Sequence, residues 1–214
     1  ILQFMNKDFP DKIPVFPLSG VIYFPKTNLP LNIFEKRYLD LVNDAFKTNK
    51  FMGMIQSKRK SEDIYSIGCL GKISEFEKND DGRIIINLTG ITRFEIVKEV
   101  NNQKLYREFE VKYNKFFIDT NSQKRQIIKE QEINYLFEKI KIFFKKNGLF
   151  LNWSEFQKLS LDQQINTLAM IAPVSNEEKQ KLLETISLSE KSKILSEIIE
   201  FYLHEKNINK TVIQ

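Results

Sequence analysis

Four prolines interrupt an apolar stretch between residues 13 and 39, and they exclude a long helix there. They are Pro14, Pro17, Pro25 and Pro30. Each proline fixes its own φ and disfavours helical geometry in the residue before it. Short apolar runs lie between the prolines, at 15–18, 21–24 and 29–34. The stretch therefore predicts short strands, and its lack of catalytic side chains favours a role in shaping a surface.

The strand pattern continues to about residue 118 and contains one helix. Apolar residues at helical spacing predict that helix over 36–48. Asp81-Gly82 predicts a hairpin turn, because glycine readily adopts positive φ. Gly90 is expected to interrupt the strand that follows the turn. Further strands are expected at 51–55, 67–77, 83–89, 91–97 and 105–117. Short strands with frequent turns are typical of a barrel or a sandwich.

The pattern becomes helical after residue 118. A long apolar stripe predicts a helix over 123–146, which Gly148 ends. Four Ser-x-x-Glu/Gln sequences then match the capping box that starts helices. They begin at Ser154, Ser160, Ser175 and Ser187. We therefore predict an α+β fold, with a β-barrel subdomain over 1–118 and an α-helical subdomain over 119–214.

Composition limits the class of protein. The 214 residues carry 33 basic and 28 acidic side chains, a net charge of +5 that is dispersed rather than gathered. The single cysteine, Cys69, allows no intrachain disulfide and suits a reducing compartment. No apolar run approaches the length of about 20 residues that spans a bilayer, and the N-terminus lacks the pattern of a secretory signal. We expect a cytoplasmic protein with no membrane partner.

No residue pattern indicates catalysis, a metal or a cofactor. His204 is the only histidine, so a catalytic triad and the usual zinc ligand sets are not supported. Residues 68–72 have the wrong spacing for a phosphate-binding loop. Ser57 and Lys60 match Ser-x-x-Lys, but in a polar loop where the lysine stays solvated and is a poor base. We expect no catalytic residues, no metal and no cofactor.

Basic clusters give little support to nucleic-acid binding. Lys58-Arg59-Lys60 and Lys145-Lys146 lack the interleaved aromatic side chains on which bases stack. Apolar groups near predicted loops are the stronger signal, because phenylalanine and methionine form surfaces that adapt to varied peptides. These groups are at 23–25, 51–54 and 116–117.

Three blocks of sequence, in order, resemble the Lon substrate-binding domain family. The first is IPVFPLSGVIYFPKTNLPLNIFEKRYLDLV (13–42), the second IGCLGKISEFEKNDDGRIIINLTGITRFEIVKE (67–99), and the third the helical end at 168–203. The second block is similar to the family's spacing of glycines, Asp-Gly-Arg and Arg-Phe. The resemblance implies a PUA-like β-barrel followed by a helical bundle. It also implies that the domain recognises unfolded or damaged polypeptide for an ATP-driven protease.

Full-length relatives in this family continue into an ATPase and a Ser–Lys peptidase. The sequence shows no motif of either, so we expect a protein that is not an enzyme. We also expect a stand-alone Lon-domain protein rather than an excised fragment, because many stand-alone members carry Leu-Pro-Leu-His-Ile-Phe-Glu. Asn32 departs from that motif, where histidine is common. An amide at this position cannot titrate.

We predict a non-catalytic polypeptide-binding module. Its partner would be unfolded polypeptide, or a protease or chaperone for which it acts as an adaptor; RNA binding is the other alternative. Phe34 and Tyr38 are expected in the core. The predicted peptide-binding residues are Tyr23, Phe24, Asn32, Phe51, Met52 and Met54.

Overall fold

The computed structural model describes residues 9–58, 63–121 and 128–211. Backbone packing divides the chain into two compact units, 1–124 and 125–214. The first contains the strands and one helix, and the second contains helices. The predicted division into subdomains at 1–118 and 119–214 stays a prediction.

Six strands form one mixed sheet in the first unit. They are β1 (Lys12–Leu18), β2 (Asn28–Ile33), β3 (Phe51–Gln56), β4 (Ile67–Lys78), β5 (Ile84–Val100) and β6 (Arg107–Lys112). The strand order is β2-β5-β4-β3-β1-β6, and β5 also pairs with β6. This last pairing closes β5, β4, β3, β1 and β6 into a ring, which we call the barrel, and leaves β2 attached to β5 alone. The α+β class is therefore confirmed.

The inside of the barrel is filled by alternate apolar side chains of its strands. Phe94 lies at the centre of this core, fully buried among Ile13, Leu70 and Phe109. A Cβ atom on Gly53 or Gly68 would lie within 3.0 Å of the Phe94 ring. The glycines thus make room for a large aromatic ring, and the Arg-Phe pair of the second block supplies it.

Helix α1 (Lys36–Lys47) follows β2, as predicted. It packs against β1 and β3, and buries Tyr38, Leu41 and Val42. A short 3₁₀ segment, Asn114–Asp119, follows β6, so the strand predicted over 105–117 is shorter than expected.

Two local predictions in the first unit are wrong. Residues 21–24 are not a strand, although Ile22, Tyr23 and Phe24 are buried. Gly90 does not interrupt the chain of strand residues, because β5 runs unbroken through it for 17 residues. Leu70 pairs with Thr92 and Gly71 pairs with Gly90, so Ile91 is an extra residue and β5 forms a β-bulge directly after Gly90.

Five helices are described in the second unit. They are α2 (Glu130–Lys146), α3 (Trp153–Phe156), α4 (Leu161–Ile171), α5 (Asn176–Glu184) and α6 (Leu188–Thr211). The predicted start of α2 at 123 lies outside the described residues. No helix in the described ranges has the length and apolarity needed to cross a bilayer.

Capping explains where several of these helices begin. Ser160 and Ser175 form complete capping boxes with Gln163 and Glu178, as predicted. Ser187 accepts a hydrogen bond from the Glu190 N–H at 3.3 Å. The prediction at Ser154 is wrong, because the side chain of Asn152 caps α3 instead.

Candidate functional site

Five of the six predicted binding residues lie in the core. They are Tyr23, Phe24, Phe51, Met52 and Met54. In β3 both faces are covered, one by the barrel interior and the other by α1, so all six of its residues are buried. The expected exposure of these five side chains is therefore wrong, and their role in binding stays a prediction.

The segment around Tyr23 and Phe24 anchors itself to β5. The Tyr23 hydroxyl donates to the Leu88 carbonyl at 2.6 Å, and burial raises the pKa of Tyr23. Lys26 N–H donates to the Gly90 carbonyl, and Gly90 N–H donates to the Thr27 carbonyl, both at 2.9 Å. A Cβ at Gly90 would lie 2.3 Å from the Phe24 carbonyl oxygen. Gly90 is thus required by close backbone approach, and these contacts hold the segment against β5.

Strand β2 is the open edge of the sheet. One side pairs with β5 through antiparallel partners from Asn28↔Thr89 to Ile33↔Ile84. No described strand pairs with its other side. An open edge presents unpaired backbone donors and acceptors to which an extended segment can bind. Pro30 lies in the middle of this edge and removes one donor.

Side chains on β2 alternate between the core and solvent. Leu29 and Ile33 are buried, and Asn32 is exposed, which makes it the one predicted binding residue on the surface. Phe34 follows the strand and is 66% exposed, so its expected core position is wrong. The alternation of β2 carries it outward. Tyr38 is buried as expected and stacks on Phe16 with 4.0 Å between ring centroids.

A shallow groove of about 470 Å³ runs beside β2 on the outer face of the sheet. We call it the β2 groove, and it is lined by residues 28, 30, 75–77 and 85–87. The register aligns Pro30, Asn87 and Glu75 in one row across β2, β5 and β4. The next row aligns Asn32, Ile85 and Glu77. Ile85 is 41% exposed, which gives the groove an apolar floor.

Arg93 of the Arg-Phe motif is charged but buried, and its role is structural. Its side chain is 2% exposed and pairs with Asp119, which is 8% exposed. The Arg93 Nε and Nη2 groups donate to the two carboxylate oxygens at 2.9 and 2.8 Å, and the Arg93 backbone N–H adds a third bond at 2.9 Å. The guanidinium also lies 4.3 Å from the centre of the Phe116 ring. The pair fastens the 3₁₀ segment to β5.

A second hollow, of about 390 Å³, lies at the connection between β5 and β6. Its charged groups satisfy one another. Arg107 donates to both carboxylate oxygens of Glu99 at 2.7 Å, and this holds the pKa of Glu99 below its usual range. Hydrogen bonds with Tyr106 and Glu108 raise the pKa of Lys104. We interpret this hollow as part of the hairpin rather than as a ligand site.

No reactive cluster is found within the described residues. No three histidine, cysteine or carboxylate side chains there are placed to hold a metal ion. His204 is exposed on α6, and Cys69 is buried in β4. The Lys58-Arg59-Lys60 cluster and the Ser57–Lys60 motif extend into residues outside the described ranges.

Comparisons with known proteins all identify the same family. The family described as the ATP-dependent protease La (LON) substrate-binding domain matches residues 12–200. Lon protease from Buchnera aphidicola subsp. Schizaphis graminum is 24% identical, over 94% of this chain and 26% of that protein. Lon protease from Syntrophus aciditrophicus is 23% identical, over 91% of this chain and 25% of that protein. The chain thus spans about a quarter of the length of these relatives.

Solved structures show the same fold. The Lon N-terminal domain protein from Xanthomonas campestris superposes with a TM-score of 0.62 and 20% identity, covering 86% of this chain and 96% of that one. The N-terminal domain of Mycobacterium avium complex Lon protease gives 0.62 and 15% identity, covering 88% and 98%.

Proposed function

The chain belongs to the LON substrate-binding domain family, and from this premise we propose that it is a non-catalytic module that recognises unfolded or damaged polypeptide. The family match covers residues 12–200, and it is a match to a substrate-binding domain. The matched part of the relatives is about a quarter of their length, so any link to an ATP-driven protease belongs to the proposal.

One observation supports the proposal most directly: an exposed phenylalanine beside an open strand edge. Phe34 presents two-thirds of its side chain to solvent directly after β2. Unfolded segments carry both free backbone groups and exposed apolar side chains. An open edge meets the first by strand pairing, and Phe34 with Ile85 meets the second.

Binding of a single segment should be weak. An unfolded polypeptide must be ordered when it binds, which costs about 2–5 kcal/mol or more of the interaction energy. Weak, adaptable capture suits a module that has to accept many sequences. The alternatives of RNA binding and of an adaptor for a separate protease or chaperone have no observation in the described residues that favours them over this one.

The test compares binding of a protein that carboxymethylation keeps unfolded with binding of the same protein in its unmodified, folded form. Phe34→Ser is expected to weaken binding by about fivefold, since burial of its exposed face is worth about 1 kcal/mol. Leu105→Ser is the matched control, because Leu105 is 58% exposed but lies at the β5–β6 connection. Equal loss in both variants, or equal binding of the folded and unfolded forms, would overturn the proposal.

A further inference from the structure

The phase of hydrogen bonding along β2 determines which of its backbone groups face the open edge. The Gly90 N–H donates to the Thr27 carbonyl at 2.9 Å, so the residue just before β2 has its carbonyl turned toward β5. Residues of an antiparallel pair are turned alternately toward and away from the partner strand. Counting from Thr27, every second residue therefore bonds to β5. The residues between them have outward-facing backbone groups, and they are Asn28, Pro30 and Asn32.

Pro30 is the central residue of these three, and it is exposed. Proline has no N–H, and a carbon of its ring occupies the space that the hydrogen would take. Pairing with β5 continues on both sides of Pro30, because the ring points away from β5. A carbonyl oxygen of an added strand cannot approach the Pro30 nitrogen to the hydrogen-bonding distance of about 2.9 Å. The open edge therefore keeps the N–H donors of Asn28 and Asn32, with a ring between them.

We infer that Pro30 makes the open edge of β2 selective for flexible polypeptide over strands that are already folded. This inference rests on the proposed function and names the residue that sets its specificity. An unfolded segment can form a β-bulge opposite Pro30, which leaves one residue unpaired and bends the strand past the ring. The segment then pairs with Asn28 and Asn32 on either side of the bulge. A strand that a folded sheet holds straight can bend in this way only by losing its own pairing.

Strand β2 of a second copy of this chain is one folded strand that the edge excludes. Each β2 is paired with its own β5 along its whole length, so it is held straight. In an antiparallel pair centred on Pro30, the two prolines would face each other and both central hydrogen bonds would be missing. A shift by two residues places each proline opposite an asparagine of the other copy, and both rings still meet a carbonyl. Proline on an exposed strand edge thus opposes association between copies.

The experiment compares two forms of one fluorescent peptide rich in valine and threonine, a linear form and a backbone-cyclised form held as a β-hairpin, with binding followed by anisotropy. Cyclisation removes much of the ordering cost of binding, so an unobstructed edge should prefer the cyclic form. The unaltered protein should instead prefer the linear form, which can bend past Pro30. In Pro30→Ala the ring is absent and one N–H donor is gained, worth about fivefold in affinity, so the preference should reverse.

Pro173→Ala is the matched control, because Pro173 is an exposed proline between α4 and α5, and this variant should keep the preference for the linear form. Asn32→Pro adds a second ring to the open edge without removing a bond to β5, and it should weaken binding of the linear form by about fivefold. Circular dichroism checks that each variant is folded.

Three results would overturn this inference while the proposed function stands. They are a preference of the unaltered protein for the cyclic form, an unchanged preference for the linear form in Pro30→Ala, and undiminished binding of the linear form by Asn32→Pro. If neither form of the peptide binds the unaltered protein, both the inference and the proposed function fail.

Discussion

Removing the carboxylate of Asp119 should be among the most damaging single substitutions in the barrel. In Asp119→Ala the Arg93 guanidinium keeps its place inside the protein, only 2% exposed, without the opposite charge that balances it. Three hydrogen bonds disappear at once, two of them from the guanidinium. The 3₁₀ segment also loses its ion pair with β5, although Phe116 stays packed there.

The magnitude follows from burial rather than from the number of bonds. Breaking one partner of a buried pair costs about 3–5 kcal/mol, because an unpaired charge remains in a poorly solvated site. An exposed pair costs about 0–1 kcal/mol. Glu110→Ala is therefore the control, since Glu110 meets Lys98 at 3.3 Å with both side chains largely in solvent.

The assay is urea unfolding followed by circular dichroism, applied to Asp119→Ala, Arg93→Met and the double variant. We expect the double variant to lose less free energy of unfolding than the sum of the two single variants, by about 2 kcal/mol or more, because it leaves no buried charge. A loss under about 1 kcal/mol in Asp119→Ala, or simple additivity of the two substitutions, would refute the reasoning.

Two further predictions concern hydrogen bonds that burial or capping makes important. Burial raises the pKa of Tyr23, so the folded state keeps this proton above pH 10 while the unfolded state loses it; stability should fall by up to about 1.4 kcal/mol per pH unit above the ordinary tyrosine pKa of about 10. Tyr23→Phe should cost about 1 kcal/mol at neutral pH and make the alkaline decline in stability shallower. Unfolding of the variant and the unaltered protein, measured at neutral pH and above pH 10, checks this. An unchanged decline would count against it. Ser175→Ala should cost about 1 kcal/mol because it removes a complete capping box, whereas Ser154→Ala should cost less than half of that. Comparable losses in thermal unfolding of the two serine variants would contradict the assignment of the caps.

Local signals predicted most of the secondary structure. Apolar spacing located α1, and apolar runs beside loop and turn residues located β3 and β4, because these patterns depend on neighbours in the chain. Gly90 was expected to end a strand for the same local reason. Glycine is required at this position because the backbone of Phe24 approaches closely, and a contact so distant in sequence gives no local signal.

The candidate site was harder to predict than the fold. Sequence composition finds phenylalanine and methionine, but exposure depends on which elements cover them. Met52 and Met54 are buried because α1 packs on β3, whereas Phe34 is exposed because it lies just beyond the end of β2. Asp119 carried no signal at all, since a single aspartate after an aperiodic stretch reveals nothing about its partner.

The pairing of β1 has a consequence for how the chain is made. This first strand lies between β3, which is parallel to it, and β6, the last strand of the barrel. A ribosome synthesises β1 before β6, so the second neighbour of β1 is complete only when residue 112 has been added. Until then the nascent barrel exposes unpaired edges on which other nascent chains can aggregate. Among the described strands the finished sheet leaves β2 open, so more unpaired strand edges are exposed before β6 has joined than after.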